Sequence, residues 1–356
     1  MAWTVSKYSK TKVDSAGAFL IAPEQAVEEL FRSVQQYEEA FSVVNNWRSA
    51  HSFPLNIMQD QLRKRARSID PECIVAQRLK RLSSIRRKLS QTSTRLSQMQ
   101  DLGGCRAVVA SLQHVDQLRA MYERSRMKHE LIHIDDYIVT PRHTGYRGIH
   151  LIYKYRSTGR GKPYDGMRIE IQIRTRLQHA WATTVEIVDA FQEAFHELPN
   201  QLKSGMGNEK WLRFFVLMGS LMANREGCPT VPGTPSEIAA IQRETKEIAS
   251  ELDVERTLHS YRYGVVVGNL EMDGWNPAYF LLKLDKQKKI NKLKGYKIHE
   301  LQKAQAEYLA EERSLDSGWN ILLASAESVV ALKEAYPNYW MDSDAFLETM
   351  NDLLKE

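Results

Sequence analysis

At 356 residues, 43% hydrophobic and 26% charged, with 18 glycines and 11 prolines, the chain has the composition of a folded protein of about two domains, not of a disordered or fibrous one. Its apolar stretches, such as Phe214 to Met218 and Ile321 to Ala324, fall far short of the ~20 residues that a membrane helix needs, and no signal peptide is read, so a cytoplasmic address without a membrane partner is expected. Cys73, Cys105 and Cys228 are too scattered for a disulfide framework or a zinc site, and the net charge of +5 points to an anionic partner.

Along the chain, apolar residues at spacings of three and four predict a helix over 26–49 and amphipathic helices over 55–67 and 74–98. Asp101-Leu102-Gly103-Gly104 leads into a short apolar run, read as a buried strand over 105–110. A helix over 115–128, strands over 149–155 and 168–175, and a helix over 177–194 follow, an alternation that points to a sheet covered by helices. Residues 227–235 hold three prolines and two glycines and read as a linker, after which Thr234 as cap and Pro235 as first helical residue start a helix to about Leu258. Strands over 263–269, 278–284 and 319–324, a mostly helical stretch over 290–313, and helices over 328–335 and 344–355 complete the chain. Residues 60–97 are basic, with Arg63, Lys64 and Arg67 among them, and residues 300–356 are acidic, so the two ends are expected to meet.

The chemistry concentrates in four segments. Alternation over 168–175 puts Ile169, Ile171 and Ile173 on one strand face and Arg168, Glu170, Gln172 and Arg174 on the other. The loop 140–148 combines Arg142, His143 and Arg147 as phosphate donors with Tyr146 as a stacking surface for a base, and glycines let its backbone come close. Arg78, Lys80, Ser84 and Lys88 are spaced to grip a polyphosphate. Asp101 offers a hard oxygen ligand for Mg²⁺ ahead of Arg106, whose guanidinium can stack on a purine.

These residues resemble the RelA/SpoT synthetase domain: Arg78-x-Lys80 with Ser84-Ile85 and Lys88, Asp101-Leu102-x-Gly104-x-Arg106, Tyr137-Ile138-x-x-Pro141, Gly145-Tyr146-Arg147 and His150, Glu170 to Thr175, and His179-Ala180-Trp181-Ala182. The resemblance covers about residues 40–195. It implies an α/β (α+β) fold, a nucleotidyltransferase-like mixed sheet flanked by helices, in which pyrophosphate passes from ATP to a ribose 3′-hydroxyl. By that resemblance Arg78 and Arg106 sandwich the adenine, and Lys80, Ser84 and Lys88 hold the phosphates. Asp101 binds Mg²⁺, and Glu170 takes the proton of the attacking hydroxyl or orients it. Tyr146 stacks on the acceptor base, while Gln172, Arg174 and His179, with Arg142, His143, Arg147 and His150, position the acceptor. Thr144, Gly148 and Thr183 depart from the family pattern on the acceptor side, which weighs against guanosine nucleotide as the acceptor. Only about 40 residues precede the region, too few for a hydrolase segment, so degradation of any product is expected to come from elsewhere.

Residues 260–356 are similar to the C-terminal pseudo-zinc-finger antitoxin domain of CapRel-like fused toxin–antitoxins of phage defence, above all at Ala335-Tyr336-Pro337-Asn338-Tyr339-Trp340. The implied organisation is a synthetase (toxin) domain over 1–228, a linker and connecting helix over 229–259, and a smaller C-terminal α+β regulatory domain over 260–356 without zinc. The implied function is a pyrophosphokinase acting on the 3′-CCA end of tRNA, with Mg²⁺ and ATP, autoinhibited until a phage protein such as a capsid protein engages the C-terminal domain. The alternatives are a small alarmone synthetase making guanosine or adenosine 3′-pyrophosphates and an inactive RNA-binding or phage-sensing module. Pro337 disfavours helix at Tyr336, so residues 336–339 are expected as a projecting turn that places a tyrosine ring on Arg78 or Arg106.

Overall fold

The computed structural model describes residues 3–22, 30–192, 202, 205–262, 266–268, 277–285, 290–313 and 319–355. Helices α1 (Lys10–Phe19), α2 (Leu30–Ala50) and α3 (Ser52–Ile69) lead into strand β1 (Ile74–Leu79), helix α4 (Leu82–Gln91), β2 (Gly103–Val109), α5 (Leu112–Glu123) and β3 (Glu130–Asp136). Strands β4 (Ile149–Lys154) and β5 (Arg168–Thr175) precede α6 (Arg176–Gln192), α7 (Glu209–Arg225), α8 (Ile238–Glu251) and α9 (Val254–Arg262). The C-terminal part adds β6 (Val266–Gly268), β7 (Tyr279–Asp285), β8 (Ile290–Tyr296), α10 (Leu301–Arg313), β9 (Trp319–Ser325), α11 (Val329–Ala335) and α12 (Asp344–Lys355). No helix among the described residues is long and apolar enough to cross a membrane.

Among the described residues the strands form one mixed sheet in the order β3-β4-β5-β2-β1-β9-β7-β8-β6, parallel at β2/β5 and β6/β8 and antiparallel elsewhere. The C-terminal strands join the N-terminal ones where β9 pairs with β1, at Gln77↔Ser325 and Arg78↔Ala324. One face of the N-terminal strands is apolar: Val75, Cys105, Ala107, Leu151, Ile169, Ile171 and Ile173 pack on Leu55, Met58 and Leu62 of α3 and Val115 and Leu118 of α5. Burying that face leaves the polar residues of the same strands on the other, as the alternation over 168–175 requires.

Several expected elements are corrected. Residues 74–79 are strand, not the start of a helix, because Val75 and Ala76 are buried on opposite faces of a central strand and two-sided burial removes the period of two. Residues 290–296 are also strand: Leu293 joins the core that includes α6 and α7 and Tyr296, on the other face, joins the core under α10, while Lys292 and Lys294 stay exposed, so the apolar residues fall three apart and read as helical. β3 falls in a segment given no element, and α1 and α7 were likewise unassigned. The helix expected from Pro235 begins at Ile238 after Glu237, and Thr234 Oγ1 donates to the Val231 carbonyl instead of capping it. It also ends at Glu251, ahead of Asp253 at φ 45°. The 227–235 segment is packed: Val231 is buried, its N–H bonds Ser220 Oγ at 3.0 Å, and Arg147 reaches the Pro229 carbonyl. Parts of the expected elements at 26–29, 193–194, 263–265 and 269 lie outside the described residues.

The loop before β4 depends on Gly145, held at φ 93° with Trp181 and the Phe215 backbone against it. A Cβ there would stand 3.0 Å from Trp181 Cζ2 and 3.1 Å from the Phe215 carbonyl oxygen. Gly145→Ala is expected to lower stability by about 1–3 kcal/mol in denaturant unfolding, from a left-handed backbone and a contact that cannot yield.

Candidate functional site

The polar face of the sheet becomes a site through register. Across β1, β2, β5 and β4, Arg78 lies opposite Gly104 and Gly104 opposite Glu170, while Arg106 lies opposite Gln172 and Gln172 opposite His150. These side chains, with Lys80, Ser84, Lys88, Asp101, Arg142, Tyr146 and Arg174, line a cleft of about 540 Å³. Gly104 leaves room over the strand: a Cβ there would come to 3.8 Å from Glu170 Oε2.

At one end of the cleft, Asp101 Oδ2 accepts hydrogen bonds from Lys80 Nζ and Lys88 Nζ, both at 2.9 Å. Its Oδ1 is buried and accepts no hydrogen bond from the described residues. Burial lowers the Lys80 pKa against the opposing pull of Asp101, so the ammonium is held by its carboxylate partner. A carboxylate oxygen without a partner among the described residues, beside two ammoniums, would be a chemically fitting place for a Mg²⁺.

In the middle, Glu170 Oε1 is 3.0 Å from His150 Nδ1 and Oε2 accepts from Gln172 Nε2 at 2.7 Å. Burial would raise the Glu170 pKa, but the facing His150 charge and these hydrogen bonds bring it well below the usual carboxylate range. Burial would lower the His150 pKa, and Tyr146 and Glu170 beside the ring push it up instead. The chain continues from His150 Nε2 to Tyr146 OH at 2.6 Å, from Arg174 to Tyr146 OH at 2.7 Å, and from Arg174 to Gln172 Oε1 at 3.0 Å. Arg174 also stacks on the Tyr146 ring at 4.9 Å.

At the other end the Tyr336 ring lies between two guanidiniums, 5.7 Å from Arg78 and 5.4 Å from Arg106. Arg106 is half-buried, and burial followed by the nearby Arg174 disfavours its charge; it answers by donating to the Ala335 carbonyl at 2.6 Å.

Residues 77–189 match the family profile of the region found in RelA/SpoT proteins. That region covers about a third of the chain and supports a pyrophosphokinase. Solved structures similar to the chain include the small alarmone synthetase 1 of Bacillus subtilis bound to its product pppGpp, at 22% identity over 51% of this chain and 78% of that one, with a TM-score of 0.32. A GTP pyrophosphokinase family protein of Streptococcus pneumoniae matches at 18% identity over 65% of this chain and 98% of that one, with a TM-score of 0.37. A complex of the type VI effector Tas1 and its immunity protein matches at 15% identity over 62% of this chain and 97% of that one, with a TM-score of 0.30. A comparison with curated proteins finds no match.

Within the RelA/SpoT region, several expected site residues stand differently. Arg147 is buried and donates to the Ile138 carbonyl at 2.8 Å and to the Pro229 carbonyl, so it holds the loop and does not face the cleft. His143 is exposed beside Gly205 and does not line the cleft. His179 lines a different cavity, of about 710 Å³ beneath α11, and its Nε2 bonds the Glu334 carbonyl at 3.0 Å. Arg78, Lys80, Ser84 and Lys88 do not share a helix: Arg78 ends a strand, Lys80 sits in the connection, and Ser84 and Lys88 ride on α4.

The expected projecting turn also divides. Tyr336 enters the cleft, whereas Tyr339, in the 3₁₀ turn Pro337–Tyr339, is buried with its hydroxyl on the Ile321 carbonyl at 3.3 Å. Pro337 accepts the Trp340 and Asp342 N–H groups at 2.9 and 3.0 Å and so closes the turn, and Asn338 lies between on the half-buried side. Two residues the sequence reading missed, Arg48 and Glu312, come together from 264 positions apart, and no local pattern signals such a pair.

The His150–Glu170 pair gives a pH signature. Glu170, lowered from 4.5, contributes stability above the carboxylate range that is lost as pH falls through its folded pKa. His150, raised from 6.5, contributes stability that is complete below about pH 6.5 and lost as pH rises through its folded pKa. In Glu170→Gln the ring keeps its burial and loses the carboxylate, so its pKa should fall; an NMR titration of the His150 ring that is unchanged in the variant would contradict the pairing.

Proposed function

We propose that the chain transfers pyrophosphate from ATP to the 3′-hydroxyl of the tRNA 3′-CCA end, blocking translation, and that it is a fused toxin–antitoxin of anti-phage defence restrained by its own C-terminal segment. The observation that carries this reading is the Tyr336 ring between Arg78 and Arg106, where an adenine would otherwise stack. A second contact is consistent with it: Glu327 pairs with Arg63 at 3.1 Å and with Arg67, on the α3 face that would otherwise follow an RNA backbone.

In the released enzyme Arg78 and Arg106 clasp the adenine, and Lys80, Ser84 and Lys88 take the triphosphate. Asp101 would hold Mg²⁺ through its free oxygen, which supplies charge neutralisation at the β- and γ-phosphates. The acceptor 3′-oxygen attacks the β-phosphorus, the bond from that phosphorus to the bridging α,β-oxygen breaks, and AMP leaves. Glu170 orients the hydroxyl and takes its proton, with Gln172 and His150 fixing the carboxylate. Arg174 and Tyr146 position the acceptor terminus from the same network. A phage protein, such as a capsid protein, that captures the C-terminal segment would withdraw Tyr336, and must favour the open form by several kcal/mol to invert the populations.

The test uses the full chain, γ-labelled ATP, tRNA and GDP. Tyr336→Ala is expected to label tRNA without any trigger while wild type does not. Glu170→Gln or Asp101→Asn in that background should lower labelling by about 10²–10⁴-fold with the fold intact. Reversing Arg63, Lys64 and Arg67 to Glu should reduce tRNA labelling far more than ATP binding. Label appearing on GDP and none on tRNA would replace this acceptor with a guanosine nucleotide, and no label on either from the released chain would leave a binding module.

A further inference from the structure

A second contact of the C-terminal segment reaches the cleft from its phosphate end. Arg48 of α2 is 1% exposed and Glu312 of α10 is 7% exposed, and they form a two-pronged pair, Nη1 to Oε1 at 3.1 Å and Nη2 to Oε2 at 2.6 Å. Glu312 Oε1 also accepts the Leu82 N–H at 2.8 Å and the Tyr308 hydroxyl at 2.9 Å. Leu82 is the first residue of α4, whose N-cap Arg81 makes no side-chain cap of its own, so a carboxylate from α10 caps the helix that carries Ser84 and Lys88. Arg48 donates as well to the Lys80 carbonyl at 3.3 Å, and its guanidinium lies 5.1 Å from the Tyr308 ring. One carboxylate thus ties residues 80–82 to the C-terminal segment.

We infer that Glu312 is an ionic latch, a second autoinhibitory contact independent of Tyr336, by which α10 holds the C-terminal segment onto the Lys80–Leu82 connection. It deepens the autoinhibited reading above and rests on it. Release of α10 strips a buried guanidinium of its counter-charge and a helix start of its cap, so the closed form is favoured even without the ring in the adenine slot. The latch and the plug act on one open–closed equilibrium from two sides, and their effects on apparent ATP affinity should multiply.

The experiment measures binding of an ATP analogue with a methylene bridge between the α- and β-phosphates to the full chain, in wild type, Glu312→Gln, Tyr308→Phe, Tyr336→Ala and the Glu312→Gln, Tyr336→Ala double variant. Glu312→Gln keeps the shape and removes the charge, and should tighten apparent binding about tenfold or more; Tyr308→Phe, which removes one hydroxyl donor, should tighten it about two- to fivefold. The double variant should show the product of its two single effects. Glu312→Gln and Tyr308→Phe that are folded and bind like wild type, while Tyr336→Ala binds more tightly, would overturn the latch and leave the plug standing. If Tyr336→Ala also fails to tighten binding, the autoinhibited reading falls instead. Should Glu312→Gln unfold, Tyr308→Phe decides alone, and unchanged affinity there overturns the latch.

Discussion

The structure depends on how positive charge is handled on one face of one sheet. Arg78, Arg106 and Arg174 project from β1, β2 and β5, and Lys80 and Lys88 stand beside them, against Asp101 and Glu170 inside the same cleft. Cations this close in a half-buried site repel one another and lose hydration, so they must find carboxylates, carbonyls, ring faces or a polyanionic ligand. Each described contact of the cleft is one such answer. Asp101 takes both lysines, the Tyr146–Gln172 network takes Arg174, and Arg106 finds a backbone carbonyl and a ring.

The C-terminal segment supplies groups of the kinds a nucleotide substrate would bring. Tyr336 offers a flat ring to two guanidiniums, Ala335 an oxygen to Arg106, Glu312 a carboxylate to Arg48 and the start of α4, and Glu327 a carboxylate to Arg63 and Arg67. Each exposed pair is weak alone. Together they are delivered by a segment that shares the sheet through β9, so they act at the high effective concentration of a tethered ligand. The same bond types that would recognise ATP and RNA therefore serve to keep them out in the proposed resting form.

The apolar and polar faces of β5 were readable because one face is buried by α3 and α5 and the other is a cleft, which preserves alternation. β1 and β8 were not readable, since Val75 and Ala76 are buried on the two faces of β1 and Leu293 and Tyr296 on the two faces of β8, and apolar residues so placed follow no period of two. Tyr336 and Tyr339 show the same division at the level of single residues. The sequence marks a proline-bearing turn with two tyrosines three apart, but a 3₁₀ turn sends one ring to the arginines and the other into the core.

Sequence by itself determined the chemical inventory: the lysines, arginines, Asp101 and Glu170 at spacings that carry the RelA/SpoT match over 77–189, and the reversal of charge between the basic residues 60–97 and the acidic residues 300–356. Tertiary structure alone decided which of those groups meet. Arg147 and His179 belong to motifs of the same matched region as Glu170, yet packing turns one to loop carbonyls and the other to the end of α11. Arg48 and Glu312 carry no local signal because a buried ion pair needs partners brought together by the fold, and nothing in the neighbourhood of either residue encodes the other.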